Sequence, residues 1–203
     1  MIQYVLSGVV YAFAAAVQPG PYQAYLISET LTNGWRRTLP ATLAPLVSDG
    51  PIILLTLLVL SQVPVWLMRV LRYAGGVFLL YLAYGAWKSW RQYNPRNTEP
   101  GASRGETLMK ATLVNFLNPN PYLGWSLVMG PLLLKGWHET PANGIGLLAA
   151  FYGTMVLCGV GIILLFASAR NLGSRISRVL LGISAIALGA FGLYQFWAAS
   201  AMP

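Results

Sequence analysis

The chain has little of what most soluble proteins carry. Only 9% of its 203 residues are charged, against about 25% in a typical soluble domain. Too little polar surface remains to keep such a chain dissolved. It holds one cysteine, Cys158, so no internal disulfide can form, and one histidine, His138. A zinc site needs four Cys, His or carboxylate ligands, so no metal or other cofactor is expected. Acids are also scarce. The five are Glu29, Asp49, Glu99, Glu106 and Glu139, with Asp49 the one aspartate. An intramembrane aspartyl protease needs paired aspartates, and a zinc protease needs a His-Glu-x-x-His helix. Neither pattern is available, and no enzyme is expected.

Hydrophobic residues make up 56% of the chain, with a mean hydropathy of +0.59. That reads as an all-α integral membrane protein. A spanning helix takes about 20 apolar residues, and six stretches qualify: about 3–30, 39–60, 73–90, 108–134, 144–168 and 179–199. Residues 61–64 read as a tight connection, and Val65–Arg72 as an interfacial lead-in to the third span. Residues 91–107 are polar and form the one real linker, so the chain divides into a three-helix unit over 1–90 and a second over 108–203. The N-terminus has no basic n-region, so no cleaved signal peptide is expected.

A net charge of +8 could suggest nucleic acid, but the basic residues are scattered over span ends, a topology signal rather than a binding face. Ten of the 13 fall in the loops after spans one, three and five, namely Arg36, Arg37, Lys88, Arg91, Arg96, Arg104, Lys110, Arg170, Arg175 and Arg178. The positive-inside rule puts those loops in the cytoplasm and both termini outside. Six tryptophans lie at span ends as an aromatic belt; Trp125 alone falls mid-span.

The most informative pattern is a repeat. Gln18-Pro19-Gly20-Pro21-Tyr22 in span one returns as Asn118-Pro119-Asn120-Pro121-Tyr122 in span four. Prolines at i and i+2 cannot sit in an intact helix, because each removes a donor and its ring crowds the preceding turn. In hydrocarbon such breaks persist only where protein, water or ligand satisfies the freed backbone groups. Matched breaks in two halves point to a transporter's binding site. Three spans per unit is odd, so the second unit enters the membrane inverted, giving two inverted three-helix repeats with Pro-broken helices 1 and 4. Gly75, Gly76, Gly182, Gly189 and Gly192 would let backbones pack closely.

Asp49 is the sharpest candidate for chemistry. A carboxylate at mid-membrane depth costs about 2.5–3.5 kcal/mol on insertion scales and faces a cavity or a partner. It can bind an ammonium group, a proton, or each in turn, since the two compete for one anion; the bland alternative is a cap on a helix break at Gly50-Pro51. The substrate-site candidates around Asp49 are Gln18, Pro19, Gly20, Pro21, Asn115, Asn118, Pro119, Asn120, Tyr22, Tyr122 and Trp125. The amides can donate and accept. Tyr25 joins the aromatics as cavity wall or gate, against ordinary packing. Glu29 reads as an interfacial ion pair with the Arg36/Arg37 turn.

Pro19-Gly20-Pro21, Asn33-Gly34 with Arg36-Arg37, Ser48-Asp49 and Asn118-Pro119 together resemble the LysE/RhtB family of bacterial amino-acid exporters, over nearly the whole chain. The resemblance implies efflux of amino acids or similar metabolites across the bacterial inner membrane, driven by protons. Ser48-Asp49 and Asn118-Pro119 with Tyr122-Leu123 match the lysine/arginine branch best, while Ala41–Pro45, Pro121 and Trp125 depart from it. The expected partners are an amino-acid substrate, protons and the lipid bilayer, with a homodimer left open. Competing readings are a thiol-redox conduit, which needs a cysteine pair at the breaks, a heavy-metal exporter, which wants thiolates or imidazoles in the spans, and a small facilitator with parallel repeats.

Overall fold

The computed structural model describes residues 1–59, 64–92, 102–171 and 173–202. Residues 61–63 of the tight connection and most of the 91–107 linker lie outside them. Every described element is helical.

The first expected span is two helices, α1 (Ile2–Val17) and α2 (Pro21–Asn33), bent by 64° at the Pro-Gly-Pro break. Gln18 and Gly20 are extended, and Pro21 opens α2 at its first position, where the missing N–H is no loss. Asn33 ends α2, and Gly34 turns the chain with φ of 81°, a conformation that suits glycine alone. A short α3 (Trp35–Thr38) and a 3-10 turn (Leu39–Leu43) lead into α4 (Ala44–Leu54), which ends in a π-helical turn, Leu55–Val59. α4 runs straight through Gly50 and Pro51. There is no break there for Asp49 to cap, which corrects that reading.

The lead-in is continuous with the third span. Val65–Arg72 belongs to one continuous helix, α5 (Val65–Arg91). Two of its arginines reach the end of the chain: Arg69 donates to the Met202 carbonyl (2.9 Å) and Arg72 to Gln195 Oε1 (3.0 Å).

The fourth expected span is the most broken. α6 (Arg104–Phe116) opens on Ser103, whose hydroxyl accepts from the Glu106 amide at 3.2 Å, half of a capping box. α7 (Pro119–Gly124) follows the second break; next come a π-helical turn, Trp125–Met129, and α8 (Gly130–Glu139). At 13, 6 and 10 residues these helices are each too short to cross alone. Two long helices close the chain, α9 (Pro141–Asn171) and α10 (Ser174–Ser200).

Among the described residues, Trp35–Leu57, Val65–Arg91, Pro141–Ala169 and Ser174–Ser200 are long and apolar enough to span a membrane, and the bent α1–α2 pair makes a fifth candidate. α5 lies along α10, α1 along α9 and α4 along α6, with α2 wedged against α9 and α10. The α5–α10 approach rests on glycine from both sides. A Cβ on Gly76 would meet the Gly192 carbonyl at 3.1 Å, and one on Gly192 the Gly76 carbonyl at 3.2 Å. Leu6, Val10, Phe13, Leu127, Leu157, Leu165, Ile186 and Leu193 stay exposed around the outside. In water such an apolar surface would aggregate; in a bilayer it is the lipid-facing coat.

Candidate functional site

Asp49 stands on α4, 3% exposed, with Ser48 beside it. Asn115, in the last turn of α6, spans both: its Nδ2 donates to Ser48 Oγ at 2.7 Å and to Asp49 Oδ1 at 3.0 Å. Ser48 has one proton to give and sits closer to the Ala44 carbonyl (3.0 Å) than to Oδ1 (3.4 Å). On the other oxygen, Trp125 Nε1 donates at 3.2 Å and the Tyr152 hydroxyl at 3.5 Å. Trp125 is itself packed edge-on to Phe151 and stacked near Tyr152, so its N–H is aimed rather than free to wander. The π-helical turn starting at Trp125 fits this, since such bulges recur where a helix must re-aim a side chain at a functional site.

All four partners are neutral. Hydrogen bonds orient a buried carboxylate and offset part of its lost hydration, but they supply no opposite charge. The arrangement is therefore a buried carboxyl oriented by neutral donors, with open room beside it.

That room is a cavity of about 140 Å³ lying between the two breaks, small beside the roughly 300–1,000 Å³ of drug-sized sites. Of the sequence candidates, Gln18, Pro19, Gly20, Tyr22, Asp49, Asn115, Asn118, Asn120 and Trp125 line it. Pro21, Pro119 and Tyr122 do not. Pro21 faces a separate small void with Asn118 and Gln195. Pro119 is buried at the start of α7, and Tyr122 is buried and packs edge-on against Phe116. Tyr22 only borders the cavity, because its hydroxyl is spent on the Ala41 carbonyl at 2.8 Å.

The two breaks expose different groups. At the first, the carbonyls of Ala15 and Ala16 at the end of α1 accept from Gln23 Nε2 at 3.2 and 3.0 Å. The N-terminus of α2 opens on Gly20 with no side-chain cap. At the second, Asn118 caps α7 itself, its Oδ1 accepting from the Asn120 amide at 3.1 Å. The cavity thus has a carboxylate on one wall and an uncapped helix N-terminus, which favours anions, on another.

Glu29 lies elsewhere. It accepts from Asn33 Nδ2 at 2.5 Å, and the cation whose field reaches it is Lys110. Sequence reasoning missed Tyr11, Gln23, Phe151, Met155 and Tyr152. Gln23 was legible as a polar residue just after the first break; Tyr152 was one of 11 tyrosines in an unbroken apolar run. Among the described residues, no three His, Cys, Asp or Glu side chains gather as a metal site.

Comparison with known proteins agrees with this architecture. No match was found among curated proteins or among solved structures. A family model described as LysE type translocator matches residues 13–197, which includes both breaks and Asp49. Members of that family are membrane exporters of small solutes, not enzymes. The protein is accordingly a multi-pass membrane exporter belonging to the LysE type translocator family.

Proposed function

We propose that the protein exports amino acids, or related small zwitterionic or cationic metabolites, across the bacterial inner membrane by proton antiport with alternating access. The carrying observation is Asp49, buried in a cavity between two helix breaks and held only by neutral donors. An ammonium group satisfies that charge from one side of the membrane and a proton from the other. Each leaves when the other arrives, because both compete for a single carboxylate. The substrate carboxylate would sit at the uncapped N-terminus of α2, beside Gly20 and Gln23, where backbone N–H groups and the helix dipole favour negative charge.

The gating elements in this reading are two inverted three-helix repeats, residues 1–90 and 108–203. The packing supports them. Exchanging spans one with four and two with five turns the α1–α9 contact into the α6–α4 contact, and both are present; the α5–α10 contact maps onto itself. The basic loops then face the cytoplasm and both termini lie outside.

The test is efflux from vesicles preloaded with each of a panel of amino acids, with and without an imposed pH gradient. Efflux of at least one, accelerated by external acid, is expected. An exporter active on other solutes but on no amino acid would overturn the substrate assignment.

A further inference from the structure

The molecule has a second polar cavity, of about 570 Å³, at the other end of α2. Tyr25, Ser28, Glu29 and Asn33 line it from α2, and Glu106 and Lys110 from α6. Lys110 Nζ pairs with Glu106 Oε1 at 2.6 Å and also lies 6.0 Å from the Tyr81 ring. The two acids and one ammonium leave this cavity net negative. Glu29 carries no lysine in contact; the groups that hydrogen-bond it, the Asn33 amide and the Tyr25 hydroxyl, are both neutral.

The two cavities share the same two helices in the same order. Along α2, Gly20 and Tyr22 border the Asp49 cavity, Tyr25 and Leu26 follow, and Ser28 and Glu29 reach the second cavity. Along α6, running the other way, Asn115 borders the first, Val114 and Ala111 follow, and Lys110 reaches the second. Tyr22, Tyr25, Leu26, Ala111 and Val114 belong to one packed cluster. The Tyr25 hydroxyl pins it across the gap by donating to the Thr107 carbonyl at 3.2 Å. Gly20 and Glu29 are nine residues apart, or about 13 Å along a helix. A thin packed layer thus separates two acid-bearing chambers.

We propose that the Glu29 cavity is an intake-side binding site that captures the ammonium group of the solute before it passes the tyrosine layer to Asp49. The ammonium-bearing substrate rests on the function proposed above; the cation-selective cavity does not. Its place at the end of α2 next to the Arg36-Arg37 turn makes it the cytoplasmic mouth. Lys110 tunes it by occupying Glu106, so that one carboxylate is offered rather than two.

The test has a substrate-independent arm and a transport arm. In a Cys158→Ser background, Thr32→Cys places a thiol on the cavity wall. Inside-out vesicles are treated with a cationic and an anionic methanethiosulfonate, each rate normalised to that with free thiol. The cationic reagent is expected to react about tenfold faster, the preference to vanish with Glu29→Gln and to grow with Lys110→Gln. Equal normalised rates in the parent, or a preference indifferent to both changes, would overturn the proposal. In the transport arm, Glu29→Gln raises the internal KM about tenfold, by more than it lowers kcat, and Glu29→Asp recovers most of it. An unchanged KM, or a loss confined to kcat, would also overturn it. If no amino acid is exported yet the labelling preference holds, the substrate reading falls and the cavity assignment stands.

Discussion

The two proline breaks look alike in sequence and behave differently in the structure. The first leaves its downstream helix start open and closes its upstream end with Gln23. The second closes its downstream start with Asn118, and the side chains flanking it, Asn115 before and Trp125 after, carry Asp49. One break leaves its helix start uncapped; the other orients the acid. The two copies of the motif differ in surroundings because the single aspartate, on α4, meets the side chains flanking only one of them.

The hardest blow to this division is Asp49→Asn. It keeps the shape and one acceptor oxygen but removes the charge and turns an NH2 toward a donor, so export should fall by more than about 100-fold while the protein still inserts. Near-normal efflux at normal membrane levels would end the assignment. Next comes Trp125→Phe, which keeps the ring against Phe151 and leaves Asp49 Oδ2 to the longer Tyr152 contact. Weakening a buried charged hydrogen bond is worth about 1.5–3 kcal/mol, so a roughly tenfold loss of transport is expected. Phe at Trp125 with unchanged kinetics would show that the second break does not orient the acid.

The breaks can then be compared directly. Gln23→Leu strands two carbonyls at the first, and Asn118→Ala removes the cap at the second. Each should lower stability by about 1–2 kcal/mol, read by thermal unfolding in detergent. Only Gln23→Leu, beside the open helix start, should also raise KM for the solute. Equal kinetic effects would erase the distinction between the two.

The smallest effect belongs to Glu106, in the first turn of α6. The hydrogen bond and charge of Lys110 hold its carboxyl below the usual range. The pair therefore contributes fully above the ordinary glutamate pKa, and its contribution is lost as pH falls through the depressed folded value. The Glu106 side chain is 43% exposed, so solvent screens the pair and the contribution is only about 0.3 kcal/mol, or about 1 °C in Tm. Glu106→Gln should remove that acid-sensitive increment, measured by melting between neutral and acidic pH.

How far the site could be read ahead of the structure varies by residue. Asp49 was legible because an acid in an apolar run is costly wherever it lies. Trp125 stood out because it alone departs from the aromatic belt. Asn115 was found as a neighbour of Asn118 on one helical face, yet its contact with Ser48 and Asp49 crosses 66 residues of chain or more, which no local pattern carries. Tyr152 gave no signal at all. The partners of Val65–Arg72 stayed hidden for a related reason: its two arginines lie one turn apart, but Gln195 on α10 and the Met202 carbonyl just beyond it, 123 and 133 residues away, receive them.

The amino-acid sequence alone determined that the chain lives in a membrane, that two of its helices must break, and where its rare acid lies. These follow from transfer energies and proline geometry, which act locally. Tertiary structure decided what the breaks face. It set Asp49 against Asn115, Trp125 and Tyr152, capped one break and left the other open, and placed Glu29 in a chamber of its own. Those outcomes depend on which helices pack together, and packing is a property of the whole chain rather than of any window along it.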